Sequence, residues 1–266
     1  MRIRDWLSAG VIGLFIGGCT GMQTAPSPET KAAVAPTGKL RVAFLLAPLY
    51  AIKDPTTGEL KGVAVDLGNE LAWRLGVPFD PVVYAGVPAL IGGAKSGEWD
   101  VVLLGISAER AAAIDFSAPY GELETGYLVR AGVPIATASD VDKAGVRVGV
   151  LEKAMADILL SRTLKNAILV RTTSVNELFA LLGSGKADAI ATGKPGLFAV
   201  AAKEPGSRVL DGRILVEPIG MGVPKGRNAA AAVYLGKFVE DAKAEGLVKS
   251  AIERAGLRGV VVAPLK

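Results

Sequence analysis

Histidine is missing from the 266 residues, and cysteine occurs once, as Cys19. Without histidine there is no Ser-His-Asp or Cys-His catalysis and no His-ligated metal site. A single cysteine leaves no intrachain disulfide and no thiolate cluster for zinc or iron–sulfur. No Ser-x-x-Lys motif occurs. Gly183-Ser-Gly185-Lys186 resembles the end of a phosphate-binding loop, but it lacks the upstream glycine and Ala187 follows it. It predicts a helix-ending loop before a strand. Aromatics make up 6%, and the net charge of +4 is spread without a basic run, which leaves nucleic-acid binding without a footprint. No metal and no cofactor is expected. What remains is half hydrophobic, chiefly Ala, Val, Leu and Gly, enough core for one large or two modest domains.

Cys19 has a context of its own. Met1-Arg-Ile-Arg4 is a short basic start, and Trp6 to Gly18 is an apolar stretch that suits a signal-peptide core and is short for a membrane span. It ends in Ile16-Gly17-Gly18-Cys19. These four residues resemble the lipobox of bacterial lipoproteins, in which the cysteine is lipidated and becomes the mature N-terminus. The expectation is a lipoprotein signal peptide over 1–18, lipidation of Cys19, and a flexible Pro/Ala/Ser/Thr-rich tether over 19–38. The protein is then exported to the periplasm and held by lipid at the cell membrane or outer membrane.

From Lys39 the chain alternates between strand and helix patterns. Strands are expected at Leu40–Leu46, Pro81–Tyr84 and Val101–Leu104, with a hairpin-like turn over Asp54–Gly62 and helices over Asp66–Leu75 and Pro88–Ser96. A second round follows: strand Val146–Val150, helix Lys153–Leu164, strand Ile168–Arg171, a helix through Leu182 opened by the capping box Ser174-Val-Asn-Glu177, and strand Ala189–Ala191. The rounds echo each other. Leu40-Arg-Val-Ala-Phe44 matches Val146-Arg-Val-Gly-Val150, and Gly97-Glu-Trp-Asp100 matches Gly185-Lys-Ala-Asp188. Such alternation implies parallel α/β units. The predicted architecture is two Rossmann-like α/β lobes joined by a two-strand hinge. Residues 39–131 form the first part of lobe 1 and 132–214 form lobe 2. Residues 215–266 supply a return strand and C-terminal helices packing on lobe 1. Trp73 and Trp99 are expected in the core, and Asp66, Asp100 and Asp115 as caps.

One stretch asks for more than a fold. In "WDVVLLGISAERAAAIDFSAPY" a buried strand ends at Gly105, Ser107 is a plausible N-cap, and Ala108–Ala113 has helix-forming composition. Arg110 then sits in a first helical turn, where the macrodipole disfavours a cation by about 0.3–1 kcal/mol unless an anion faces it. Glu109 is one candidate partner. A ligand beyond the carboxyl end of the strand is another, since open α/β sheets bind there.

This stretch, with "GVAVDLGNELAWRLGVP", "LLGSGKADAIATGKPG" and "GMGVPKG", resembles the type II periplasmic solute-binding proteins of ABC transporters, family 3, the polar amino-acid group. The resemblance covers Lys39 to Pro264. It implies that Arg110 clamps a ligand carboxylate and that Ser107 and Gly105 line the site. Tyr84 and Tyr50 would supply aromatic walls, and Thr192 and Gly193 would lie on the second lobe's face. It also implies ABC permease subunits as partners of a monomeric protein that transports rather than catalyses. Gly193 stands where the family usually has an aspartate for the ligand's α-ammonium, with Lys194 beside it. Lys153-Ala154-Met155 replaces the usual Gly-Ser/Thr pair. A carboxylate without an α-ammonium is therefore expected to bind better than an amino acid. Two alternatives stay open: a cyclohexadienyl-dehydratase-like enzyme on the same scaffold, with Glu217 or Lys194 as general acid, and a ligand sensor.

Overall fold

The computed structural model describes residues 25–266; Cys19, the signal segment and the first part of the expected tether lie outside them. Helix α1 (Pro28–Val34), capped by the Ser27 hydroxyl, buries Ala33 and Val34 and packs against the long C-terminal helix over Ala229–Ala244. Residues 28–35 are therefore part of the folded body, correcting the expected tether. Three apolar residues near the end of α1 outweigh the linker-like composition around them.

Strand β1 (Leu40–Leu45) lies between β4 (Phe79–Tyr84) and β5 (Val101–Gly105), all parallel. A short antiparallel pair, β2 (Ile52–Lys53) and β3 (Leu60–Lys61), forms the expected hairpin over the DPTTGELKG turn. Helix α2 (Val63–Leu75) begins one turn before the expected start, with Gly62 at its N-cap, and stops at Gly76 in the left-handed conformation. Helix α3 (Val87–Ser96) follows β4. Trp99 is fully buried and donates to the Leu90 carbonyl at 2.9 Å. Trp73, expected in the core, faces solvent because it lies on the outer side of α2.

The second round repeats this plan. Strand β7 (Arg147–Leu151) is parallel to β8 (Ile168–Thr172) and β9 (Ala189–Gly193), with α4 (Met155–Thr163), α5 (Val175–Gly183) and α6 (Lys194–Ala201) around them. The Ser174 hydroxyl accepts the Glu177 N–H at 3.2 Å and Glu177 reaches back to the Ser174 N–H, so the capping box predicted from sequence opens α5.

Two long strands join the rounds. β6 (Ile114–Val129) runs 16 residues, and β11 (Leu215–Pro224) runs antiparallel to it. β11 also pairs with β5, and the far end of β6 (Thr125–Val129) pairs with β9. The sheet order is thus β4-β1-β5-β11-β6-β9-β7-β8. A short β10 (Arg208–Val209) adds to the end of β6. After α7 (Ala229–Ala244) and α8 (Leu247–Arg254), β12 (Val260–Val262) pairs with β6 at Leu123–Gly121. The chain therefore crosses between the lobes on two strands, β6 and β11, with β12 laid alongside β6 at the middle.

Candidate functional site

β5 and β7 both run towards the crevice between the lobes, and their carboxyl ends deliver Gly105 and Leu151 to it. After Gly105 the chain makes a turn and a three-residue 3-10 helix, Arg110–Ala112, before Ile114 enters β6. The helix expected over Ala108–Ala113 is not formed. Three residues sum too few peptide dipoles to set Arg110's electrostatics, so the placement of this cation rests on direct contacts instead. The Ser107 hydroxyl accepts the Arg110 backbone N–H at 3.2 Å and fixes the turn. The guanidinium is buried; Nη1 donates to the Gly105 carbonyl at 2.8 Å and Nη2 to the Lys153 carbonyl at 3.0 Å. The second bond crosses from lobe 1 to lobe 2. Glu109 reaches Lys153 at 4.0 Å and is not Arg110's partner.

Lys153 is the one non-glycine among the described residues with a positive φ, 59°. That conformation costs a non-glycine residue free energy, and Asp157 holds it in place. The buried Asp157 carboxylate accepts the Lys153 N–H at 3.0 Å, the Ser161 hydroxyl at 3.1 Å and Arg171 Nε at 2.8 Å. The turn thus aims the Lys153 carbonyl at Arg110. Elsewhere the lobes also touch: the Val175 N–H donates to the Ala85 carbonyl at 3.1 Å. A β-carbon at Gly86 would lie 2.0 Å from the Thr173 carbonyl oxygen, so only glycine permits this approach.

Between the lobes lies a cavity of about 80 Å³. Of the residues named from sequence, Arg110, Tyr50, Thr192 and Gly193 line it. Gly105 sits directly behind: a β-carbon there would be 2.5 Å from Glu217 Oε2 and 2.9 Å from Arg110 Nη1. Ser107 acts through the backbone of Arg110 rather than on the wall. Tyr84 stands apart, its hydroxyl donating to Glu98 at 2.6 Å above the end of α3. Lys194 is turned away as well, bonded to Glu124 at 2.6 Å and packed against Gly259.

Glu217 joins the site from β11. Its Oε1 accepts the Thr125 hydroxyl from β6 at 3.2 Å. Burial pushes its carboxyl above the ordinary range, and the Arg110 charge and the Thr125 hydroxyl pull only part of the way back. Burial likewise pushes up the hydroxyls of Tyr50 and Tyr120, and Glu217's charge adds to both. The signal for Glu217 was present in the sequence as a lone acid in the apolar run Leu215–Pro224.

A raised carboxyl pKa has a sign that can be checked. The folded state holds the Glu217 proton more tightly than the unfolded chain, where glutamate titrates near about 4.3. This contribution favours folding below that value and is lost as pH rises through the higher folded one. Glu217→Gln is therefore expected to be more stable than wild type at neutral pH. The difference in Tm should grow from acid to neutral pH and then level off. A difference independent of pH, or a less stable variant at neutral pH, would remove the buried-charge account.

Residues 40–249 match the family described as bacterial extracellular solute-binding proteins, family 3, and the chain belongs to it. Its fold is the two-lobed α/β fold of the type II periplasmic binding proteins. It is 25% identical over 213 residues to a glutamine-binding protein of Geobacillus stearothermophilus, covering 78% of this chain and 81% of that one. Among solved structures it is similar to a mutant of ArgBP from T. maritima, with a TM-score of 0.76 at 26% identity over 85% of this chain and 99% of that one. It is also similar to the ancestral amino acid-binding protein AncCDT-1, a precursor of cyclohexadienyl dehydratase, with a TM-score of 0.73 at 27% identity, covering 85% and 98%.

Proposed function

We propose that this protein captures a small carboxylate-bearing solute between its lobes and delivers it to the membrane subunits of an ABC importer. The observation that carries the reading is Arg110. It is buried at the carboxyl end of β5 and lines the interlobe cavity, and its Nε–H has no partner. An unpaired buried donor is costly, and a carboxylate arriving in the cleft would satisfy it with a charge-assisted bond. The relatives named as glutamine-binding proteins support an amino acid or similar organic acid as cargo. Closure of the lobes would exclude water, strengthen the contact and present a joined surface to the permease. Thermal-shift screening against a library of organic acids and amino acids tests this. Stabilisation by at least one carboxylate supports capture, and a library without any such hit removes it.

One observation favours a second reading. Glu217 is a buried acid in the same cavity with its carboxyl pKa raised, the property a general acid needs. Mass spectrometry of each hit after long incubation separates the readings: unchanged ligand supports transport, and loss of water and carboxylate identifies a dehydratase.

Anchoring is a separate part of the proposal. Cys19 is lipidated after removal of residues 1–18, nine residues before α1 opens at Pro28. Two acyl chains hold a protein at a membrane where one is marginal. Cys19→Ala is expected to move the protein to the soluble fraction or leave it unprocessed. An N-terminal mass without lipid in the wild type would sink the assignment.

A further inference from the structure

The cavity wall carries one cation and one anion. Among the described residues lining it, Arg110 and Glu217 alone bear formal charge; they are 6% and 8% exposed. The two converge over Gly105, where any side chain would strike both Glu217 Oε2 and Arg110 Nη1. They do not close into an ion pair. Arg110 spends Nη1 and Nη2 on the carbonyls of Gly105 and Lys153, and Glu217 takes the Thr125 hydroxyl on Oε1. Left over are a buried donor, Arg110 Nε–H, and an acceptor, Glu217 Oε2. Two opposite charges held side by side without neutralising each other suit a ligand that carries both.

The rest of the wall is mostly apolar: Leu45, Leu49, Val87, Leu123, Leu151 and Met155 stand on it, and Tyr50 and Thr192 bring its only other polar side chains among the described residues. The cavity is small, about 80 Å³, against the roughly 300–1,000 Å³ of ordinary ligand pockets. A side chain ending in an amide or guanidinium would bring polar groups that find only the Tyr50 and Thr192 hydroxyls beside the two charges, and would lose its water at a cost.

Taking the capture of a carboxylate as given, we propose that the solute is a zwitterionic α-amino acid with a small aliphatic side chain, its carboxylate on Arg110 and its ammonium on Glu217. The anion needed for the ammonium has moved from the end of β9 to the hinge strand β11. Gly193 cannot supply it, and Leu123 fills the space there, since a β-carbon on Gly193 would lie 2.8 Å from Leu123 Cδ2. Lys194, expected from sequence to favour a second anion, is bonded to Glu124 and absent from the wall. Glu217 instead repels a dicarboxylate. The expectation that acids without an ammonium bind better is therefore reversed.

Calorimetric titration of the purified protein at neutral pH tests this with L-alanine, L-2-aminobutyrate and L-valine. Four further probes accompany them: 3-methylbutanoate (valine without its ammonium), succinate, L-arginine and L-glutamine. One of the three small amino acids is expected to bind most tightly, and 3-methylbutanoate at least about 30-fold more weakly than valine, the lower end for unpairing a desolvated charge. Glu217→Gln should collapse that ratio to a few-fold. If the variant fails to fold, the wild-type panel still decides. Equal or tighter binding of 3-methylbutanoate or succinate overturns the role of Glu217 and leaves carboxylate capture standing. Preference for L-arginine or L-glutamine overturns the aliphatic assignment. Silence of every probe overturns the inference alone if the wider library yields a carboxylate hit, and the capture reading with it if the library is silent too.

Discussion

Arg110→Ala is expected to abolish measurable solute binding while the protein remains folded. Truncating one member of a desolvated, hydrogen-bonded charge pair costs roughly 2–5 kcal/mol, about 30-fold to several thousand-fold in Kd. Arg110 should lie towards the upper end, because its removal acts twice. It deletes the ligand's partner, and it cuts the bond from Nη2 to the Lys153 carbonyl that ties lobe 1 to lobe 2. The freed Glu217 carboxyl also loses the charge that counters its desolvation, so its proton should be held to still higher pH. Arg110→Lys should recover part of the affinity, since an ammonium can meet a carboxylate but cannot reach two carbonyls and a ligand in one plane. Folding should survive, because the apolar core around β1, β5 and α2 does not depend on this side chain. Titration calorimetry on folded variants checks the ordering wild type, Lys, Ala. An Arg110→Ala protein binding with wild-type affinity would end the assignment of Arg110 as the clamp.

How the site could be anticipated differs from residue to residue. Arg110 was legible because a strand, a glycine and an N-cap serine lead into it within ten residues, so local chemistry pointed to a strand end facing a cleft. The local helix was not formed even so, because Ile114 begins β6 and pulls the chain out of helical geometry after one 3-10 turn. β6 itself was missed over most of its length. Pro119 and Gly121 look like breakers, yet the following Glu122-Leu123-Glu124-Thr125 alternates half-buried and buried as a strand should. Glu217 and Thr125 are 92 residues apart, and their meeting is made by the antiparallel register of β6 and β11. No local pattern encodes a pairing of that range. Tyr84 shows the converse. Its position at the end of β4 fits a cleft wall, but Gly93 on α3 opens a place for its hydroxyl beside Glu98.

The echo between the two halves turns out to carry an ion pair. Asp100, expected as a cap, is wholly buried at the start of β5 and accepts the Arg41 N–H at 3.1 Å, Nε at 3.0 Å and Nη2 at 2.8 Å. In lobe 2, Asp188 accepts the Arg147 N–H at 2.9 Å, Nε at 3.1 Å and Nη2 at 2.8 Å. Each clamp ties the first strand of its lobe to the entry of the third, at the end away from the cleft. Each carboxylate takes a second arginine: Asp100 receives Arg227 Nη1 at 3.0 Å and so fastens the return segment after β11, and Asp188 receives Arg130 Nη2 at 3.3 Å from just beyond the end of β6. Removing one partner of a buried pair costs about 3–5 kcal/mol. Asp100→Ala should fall near the lower figure, since Arg41 and Arg227 can regain some water. For a chain of this size about 2–4 °C accompanies each kcal/mol, so Tm should drop by roughly 10 °C. Asp188→Ala should cost less, because that pair is more exposed, at 37% for Arg147 against 18% for Arg41. Both variants should retain solute affinity, as each substitution lies at the far end of its strand from Arg110 and Glu217. Thermal and denaturant unfolding of both variants, followed by titration, measures stability and binding separately. A Tm change of Asp100→Ala no larger than that of Asp188→Ala would remove the argument that burial makes the first clamp the stronger one.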